Sequence, residues 1–267
     1  MPLIETRRHR FNVVIDGPGD APPLLMAHPL GASLEVWTPQ VARLARRFRV
    51  IRYDARGHGD TPVPADAAGE AGREGVGALG QDALDVMDAL GLARVHWCGL
   101  SMGGMAGQWL LANAPHRLDR VVLSNTAATT GPAEAWTERL AVLKSEGMAG
   151  LIDGVMARWF TPAFAAAHPD RVETVRRLVL RTSPEGYAAC AMALRGMDLR
   201  QAIAGATPPT LVIAGAHDAG TTPEQAQFIA SQLANARLLT LDAAHLSNVE
   251  QAGPFTEAVA EFLLGTD

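Results

Sequence analysis

A serine between two glycines has the setting of a nucleophile. Residues 99–103 read Gly-Leu-Ser-Met-Gly and follow a short apolar run at 95–98. The residues after them, 102–114, have the composition of a helix. A strand, a G-x-S-x-G turn and a helix in this order are typical of a nucleophile elbow, a strained turn that exposes the serine hydroxyl. We therefore predict that Ser101 is a nucleophile at the carboxyl end of a strand.

An acid and a base follow in the second half of the chain. A serine hydroxyl is a weak nucleophile at neutral pH and needs a base within hydrogen-bond reach. His245 lies after a predicted strand at 238–241, and Asp218 lies after one at 211–214. The carboxyl ends of parallel strands meet at one edge of a sheet, so both loops should approach Ser101. We predict His245 as the base and Asp218 as the acid that orients it.

Two backbone amides are expected to stabilise the oxyanion of the tetrahedral intermediate. One is the amide of Met102, directly after the serine. The other should come from residues 28–31, which read His-Pro-Leu-Gly after the second predicted strand. Because Pro29 has no N–H, Leu30 is the predicted second donor. His28 is a candidate for substrate contact, although bracing of this loop is the favoured interpretation.

A second polar cluster has a structural interpretation. Residues 54–59 read Asp-Ala-Arg-Gly-His-Gly directly after a predicted strand, and we expect Asp54 and Arg56 to hydrogen-bond neighbouring loops. His58 is not assigned as the base. No histidines or cysteines have the spacing of metal ligands, and no glycine-rich nucleotide loop occurs. The sequence thus predicts no metal and no cofactor.

Strands alternate with helices in most of the chain, which predicts an α/β class with a mostly parallel sheet covered on both faces. The predicted strands are 11–15, 24–27, 50–53, 95–98, 121–124, 211–214 and 238–241. Helices are predicted at 39–46, at 102–114, at 255–264, around the apolar positions of 79–90 and from Thr222. The Gly/Ala/Glu-rich segment 65–77 is predicted to be a loop.

Residues 130–200 break the alternation, because they are helix-like throughout and contain no convincing strand. We therefore predict a core of residues 1–129 and 201–267 with a helical cap inserted at 130–200.

Composition narrows the classes of function. The chain has 267 residues, 48% hydrophobic and 19% charged, and its net charge of −5 gives no case for nucleic-acid binding. No apolar run approaches the ~20 residues of a membrane span, and residues 1–6 do not resemble a signal peptide. Cys98 and Cys190 suggest no disulfide framework. We expect a cytoplasmic protein without nucleic-acid or membrane partners, and the oligomeric state stays open.

With these motifs the chain resembles the α/β-hydrolase superfamily over nearly its whole length, and within it the 3-oxoadipate enol-lactonases of aromatic catabolism (the β-ketoadipate pathway). The segments that carry the resemblance are 49–59, 98–105, 124–128, 158–162, 185–190 and 243–251. The most specific are Arg-Trp-Phe-Thr-Pro at 158–162 and Glu-Gly-Tyr-Ala-Ala-Cys at 185–190. The chain departs from that family at His28-Pro29, where Asn-Ser is common, and at 219–223, after the acid. Neither departure touches the three predicted catalytic residues.

The resemblance implies hydrolysis of a five-membered enol-lactone to 3-oxoadipate through an acyl-enzyme on Ser101, without a cofactor. Such a substrate carries a carboxylate, so a cation should face the pocket. Arg139, Arg158 and Arg195 are candidates, with solvent exposure or pairing with acids such as Glu138 as the alternative. Arg139 follows Trp136 by one helical turn, which places both on a similar face. Trp136 and Trp159 are candidate pocket walls, with packing of the cap on the core as the alternative.

Other functions on the same machinery stay open. They are a carboxylesterase, a carbon–carbon bond hydrolase and a cofactor-free perhydrolase, because fold and triad do not distinguish these reactions. A non-catalytic small-molecule receptor is a further alternative, which the intact acid, base and elbow disfavour.

Overall fold

A computed structural model describes residues 3–266. The first two residues and the last residue of the predicted core lie outside this range. A two-stranded antiparallel sheet is formed by β1 (Ile4–Glu5) and β2 (Arg10–Phe11). The strands of the large sheet are β3 (Val13–Asp16), β4 (Pro23–Ala27), β5 (Arg49–Tyr53), β6 (Val95–Leu100), β7 (Leu118–Ser124), β8 (Thr210–Gly215) and β9 (Ala236–Leu241).

Within residues 3–266 this large sheet has seven strands in the order β3-β5-β4-β6-β7-β8-β9. Only β3 runs antiparallel to its neighbour, and the other pairs are parallel. The central strands are apolar and buried, as expected for strands covered on both faces. The carboxyl ends of strands β6, β8 and β9 therefore lie at one edge of the sheet, as the sequence predicted.

Helices cover the sheet and connect its strands. They are α1 (Thr38–Leu44), α2 (Ala67–Glu74), α3 (Gly77–Ala89), α4 (Met102–Asn113), α5 (Ala133–Trp159), α6 (Pro162–Ala167), α7 (Pro169–Leu180), α8 (Pro184–Leu194), α9 (Pro223–Gln232), α10 (Ser247–Glu250) and α11 (Ala252–Leu264). Helix α4 packs on β6 and β7, and α9 packs on β8 and β9. The predicted α/β class is confirmed. Among the described residues, no helix combines the length and apolar character needed to cross a membrane.

Two predicted elements differ from the structure. The strand predicted at 11–15 is divided at Asn12, whose N–H donates to Thr61 Oγ1 and whose carbonyl accepts the N–H of Asp54. The loop predicted at 65–77 is wrong, because it contains helix α2. The buried Ala67 and Ala71 give this helix an apolar face, which outweighs its glycines.

Helices α5, α6, α7 and α8 connect β7 to β8 and form the segment that the sequence predicted as a cap. Gly147, with φ 65° and ψ −159°, divides α5 by a kink. The segment is bonded to the core at several points. The amide of Leu246 donates to the carbonyl of Trp159 at 3.1 Å, and the hydroxyl of Thr182 donates to the carbonyl of Gly31 at 2.9 Å.

Candidate active site

The turn between β6 and α4 holds Ser101 in a conformation that few residues other than glycine adopt. Its φ is 55° and its ψ is −112°, and its N–H donates to the carbonyl of Ser124 at 2.9 Å. The flanking glycines are required by space. A Cβ at Gly103 would lie 2.1 Å from the carbonyl oxygen of Ala27, and one at Gly99 would lie 2.2 Å from the carbonyl oxygen of Gly103. This is the strand–turn–helix geometry of a nucleophile elbow.

The carboxylate of Asp218 is the most heavily hydrogen-bonded group of the site. Its Oδ2 accepts from His245 Nδ1 at 2.7 Å, from Thr221 Oγ1 at 2.7 Å and from Asn125 Nδ2 at 3.0 Å. Its Oδ1 accepts the amides of Gly220 and Thr221. Burial raises the pKa of this carboxyl, but the charge of His245 and these hydrogen bonds outweigh burial and hold the pKa well below its ordinary value. Asp218 is therefore ionised at neutral pH.

Sequence reasoning missed Asn125 and Thr221, which complete the surroundings of the acid. Asn125 is buried at the end of β7 with φ 44°, and its side-chain amide donates to Asp218 and to the carbonyl of Ala244. It thus ties the loop of the acid to the loop of His245. A Ser-Asn pair at the end of a strand was the available signal, because asparagine tolerates left-handed backbone.

Ser101, Asp218 and His245 all line one cavity of about 230 Å³. The imidazole is only 7% exposed, and the ring of Trp159 stacks on it with centroids 6.2 Å apart. Among the described residues, no hydrogen bond joins the Ser101 hydroxyl to the imidazole. Such contacts often tighten only when substrate is bound.

Of the two predicted oxyanion donors, Leu30 lines this cavity, and Met102 follows Ser101, which also lines it. The amide of Leu30 has no protein acceptor among the described residues. Met102 is the first residue of α4, so its N–H has no intrahelical acceptor. Both amides are available to an oxygen bound at Ser101.

His28 is not among the residues that line the cavity, and its contact with substrate stays a prediction. Its ring is buried, with Nδ1 2.8 Å from the carbonyl oxygen of Pro29 and Nε2 accepting the N–H of Ala55 at 2.9 Å. His58 is buried beside it, with ring centroids 5.3 Å apart. Its Nε2 accepts the N–H of Gly31 at 3.0 Å. Both histidines therefore brace the loop of Leu30.

Two of the three candidate arginines line the same cavity as Ser101. Arg139, Arg158, Trp136 and Trp159 line the cavity, whereas Arg195 does not. The Arg139 guanidinium lies 5.8 Å from the ring centre of Trp136, and its buried Nε has no hydrogen-bond partner. Burial lowers the pKa of Arg158, and the nearby charge of Arg139 lowers it further. Within residues 3–266 neither guanidinium pairs with a carboxylate, so both charges are available to an anionic ligand.

The remaining polar cluster has the structural role that the sequence predicted. Asp54 accepts the N–H of Leu34 at 2.7 Å and the side-chain amide of Asn12 at 2.8 Å. Arg56 is buried and forms ion pairs with Asp82 at 2.6 Å and with Glu70 at 2.7 Å. In the described part of the chain, no group of histidine, cysteine and acidic residues is arranged to hold a metal ion.

Known proteins share this architecture and sequence. The family model described as alpha/beta hydrolase fold matches residues 22–252. The chain is 37% identical to 3-oxoadipate enol-lactonase 2 of Acinetobacter baylyi over 93% of this chain and 91% of that protein. It is also 32% identical to a putative carbamate hydrolase, RutD, of a Caulobacter species, over 96% of each chain.

A solved structure gives the same result. The enol-lactonase from Burkholderia xenovorans superimposes with a TM-score of 0.93 and 40% sequence identity, covering 98% of this chain and 100% of that one. The resemblance to the enol-lactonases is therefore confirmed at the level of sequence and of structure. The elbow, the strand order and these matches together show that the chain belongs to the α/β-hydrolase fold family.

Proposed function

We propose that this protein is a serine hydrolase that opens the lactone ring of 3-oxoadipate enol-lactone. The observation that carries the proposal is a cavity that joins two kinds of group. It is lined by Ser101, His245 and Asp218 and also by Arg139 and Arg158, whose guanidiniums have no carboxylate partner within residues 3–266. The first set suits attack on an ester carbonyl, and the second suits the carboxylate of the same small substrate.

In the proposed reaction the Ser101 hydroxyl attacks the ring carbonyl while His245 takes its proton. Asp218, bonded to His245 Nδ1, stabilises the imidazolium that forms. The amides of Leu30 and Met102 hold the oxyanion. The carbonyl–oxygen bond of the ring then breaks, and the enolate oxygen takes the proton from His245.

The acyl-enzyme is hydrolysed by the reverse use of the same groups. His245 removes a proton from water, which attacks the ester carbonyl on Ser101. The serine oxygen leaves and takes the proton back, so the acid is released and the enzyme is regenerated. The enol formed in the first step tautomerises to the ketone. No cofactor takes part in these steps.

Helices α5–α8 act as the cap in this proposal, because they supply the walls that face the elbow. Trp136, Arg139, Arg158 and Trp159 all come from α5. Residues 130–200 thus select the substrate, while the core performs the chemistry. A place in aromatic catabolism and a cytoplasmic location belong to the same proposal, and they rest on the enol-lactonase relatives.

Carbamate hydrolysis is the second candidate, and the RutD-like relatives favour it. The two candidate reactions differ in the size of their substrates. A carbamate is far smaller than a lactone acid, and it leaves much of a cavity of about 230 Å³ unfilled. The lactone fills more of this space and places its carboxylate away from the reacting carbonyl, where a guanidinium can bind it.

The test is a substrate panel on purified protein, with the Ser101→Ala variant as control. The panel contains the enol-lactone, p-nitrophenyl acetate, a carbamate and a ring-cleavage product that a carbon–carbon bond hydrolase would accept. Peroxide is added in one assay to test for perhydrolase activity. We expect the lactone to have the highest kcat/KM, and Ser101→Ala to lower it by at least about 10³-fold. Faster turnover of the carbamate or a simple ester would contradict the lactone assignment. Binding of the lactone without turnover would support a receptor.

A further inference from the structure

Two buried histidines hold consecutive peptide groups of the loop that carries Leu30. His28 Nδ1 lies 2.8 Å from the carbonyl oxygen of Pro29, and His58 Nε2 accepts the N–H of Gly31 at 3.0 Å. The Pro29–Leu30 peptide contains the Leu30 N–H, and the Leu30–Gly31 peptide follows it. The rings therefore hold both peptide groups that flank the α-carbon of Leu30.

The hydrogen-bond partners fix where each ring carries its proton. His28 Nε2 accepts the N–H of Ala55 at 2.9 Å, so Nδ1 carries the proton and donates it to the carbonyl of Pro29. His58 Nε2 is likewise an acceptor, so its Nδ1 donates to the carbonyl of Arg56 at 3.0 Å. Both rings must be neutral to make these bonds. Burial lowers the pKa of His28 to about 4 and that of His58 to about 3, which agrees with this requirement.

Because a peptide group is planar, the hydrogen bond to the Pro29 carbonyl affects the direction of the Leu30 N–H, the proposed oxyanion donor. The Pro29–Leu30 peptide is trans and planar, so its C=O and N–H point in opposite directions. The carbonyl of Pro29 accepts the N–H of Ala32 at 3.1 Å as well as the bond from His28, so the two bonds together fix the direction of the Leu30 N–H. The same bonds polarise the peptide and make this N–H a stronger donor. His58 prevents rotation of the next peptide.

We propose that His28 and His58 are positioning residues that aim the Leu30 amide at the oxyanion of the reaction. Neither ring lines the cavity, so both act through the backbone. This inference rests on the proposed serine-hydrolase mechanism but does not depend on which ester or lactone is the substrate.

Asparagine and glutamine variants separate the two nitrogens of each ring. An asparagine amide replaces the Nδ1 position, and a glutamine amide replaces the Nε2 position. In His28 the bond to the oxyanion loop comes from Nδ1, so His28→Asn keeps it and His28→Gln loses it. In His58 that bond comes from Nε2, so His58→Gln keeps it and His58→Asn loses it. Each variant loses one buried hydrogen bond, and the thermal stabilities should fall by similar amounts.

The asparagine and glutamine substitutions are expected to have opposite effects on kcat at the two positions. His28→Gln and His58→Asn should lower kcat by about 10- to 10²-fold with little change in KM, which is less than the ~10²–10³ lost when a donor is removed outright. His28→Asn and His58→Gln should retain kcat within about threefold. We would measure kcat and KM with p-nitrophenyl acetate and with the enol-lactone, and thermal unfolding by circular dichroism.

Equal losses of kcat within each pair would overturn the inference, because a purely structural role ignores which nitrogen is replaced. Failure of all four variants to fold would overturn it too, since the rings would then be core residues only. If one pair fails to fold, the other pair decides. A wild-type protein that hydrolyses p-nitrophenyl acetate but not the lactone refutes the proposed substrate and leaves the comparison of the four variants intact.

Discussion

At the residue scale, the proposed substrate depends on two arginines of the cavity. Arg139 and Arg158 line the cavity of Ser101 and have no carboxylate partner among the described residues, and a desolvated guanidinium pairs strongly with a carboxylate. Arg139 is the better placed of the two for a planar acid, because its guanidinium also lies against the rings of Trp136 and Tyr187. These rings hold the guanidinium in one orientation, so little side-chain entropy is lost on binding.

We expect Arg139→Ala to raise KM for the anionic lactone by about 10- to 10²-fold, because hydrogen bonds to charged groups contribute roughly 1.5–3 kcal/mol. The KM for neutral p-nitrophenyl acetate should change little. Arg195→Ala is the matched control, since Arg195 does not line the cavity. Steady-state kinetics of the three proteins on both substrates checks this. An unchanged KM for the lactone in Arg139→Ala would move the carboxylate site elsewhere.

The sequence was most informative where chemistry and local geometry coincide. Ser101 could be identified because the elbow needs glycines at fixed offsets, and the structure shows the clashes that other residues would cause. Asn125 could not be identified in the same way. Its partners lie on loops that follow other strands, far away in the chain, and no local pattern marks them. The acid and the base were predicted from their positions after strands, which is a topological argument.

At the scale of elements, the close packing of β6, α4 and β4 is the most constrained feature. Gly103 lies on the first turn of α4, and a Cβ there would lie 2.1 Å from the carbonyl oxygen of Ala27 in β4. Backbone atoms of a central strand cannot move away without breaking their ladder bonds. The helix and the strand therefore leave no room for a methyl group at Gly103.

We predict that Gly103→Ala destabilises the protein by about 3 kcal/mol or more, the upper end for an overpacked core. Gly72→Ala is the matched control, because Gly72 lies in α2 and a Cβ there meets nothing within 4 Å. That change should stabilise the protein by roughly 0.5–1 kcal/mol, since alanine favours helix over glycine. Urea denaturation of both variants measures the difference, and equal stabilities would contradict the packing argument.

Elements with weak local signals were the ones that sequence reasoning misjudged. Helix α2 contains Gly69 and Gly72, which disfavour a helix, and it forms because its alanines pack inside and Glu70 pairs with Arg56. The first strand pattern continued through Asn12 because its apolar neighbours alternate. Tertiary hydrogen bonds to Thr61 and Asp54 interrupt it. In both cases the deciding partners are distant in sequence.

At the scale of the whole molecule, the buried neutral histidines link folding to pH. His28 and His58 have pKa values of about 4 and about 3 when folded, against an ordinary value of 6.5. Below pH 6.5 these two histidines bind protons in the unfolded chain but stay neutral in the folded protein. Stability is therefore complete above this pH and is lost as pH falls toward the folded pKa values. The lowered pKa of Asp218 also stabilises the folded protein, and this contribution is lost only as the pH falls below the ordinary value of 3.8.

We predict that the free energy of unfolding falls by up to about 1.4 kcal/mol per pH unit for each of these histidines between pH 6 and pH 4.5. The buried Asp54 beside His58 has a raised pKa and opposes this trend. The His58→Gln variant isolates the effect, because it removes one histidine and keeps Asp54. Its pH slope, from urea denaturation at several pH values, should be smaller than that of the wild type. Identical slopes would show that His58 does not stay neutral.

The kink at Gly147 divides the longest helix into two parts with different attachments. The later part ends at Trp159, whose carbonyl and ring are held by the loop and side chain of His245. The earlier part carries Trp136 and Arg139, which line the cavity as well. If Arg139 binds the substrate acid as proposed, the sequence of the earlier part can change without altering the contacts that the later part makes to His245 and Leu246. The earlier part of α5 is in this sense a replaceable segment, and the later part is fixed by its contacts to the loop of His245.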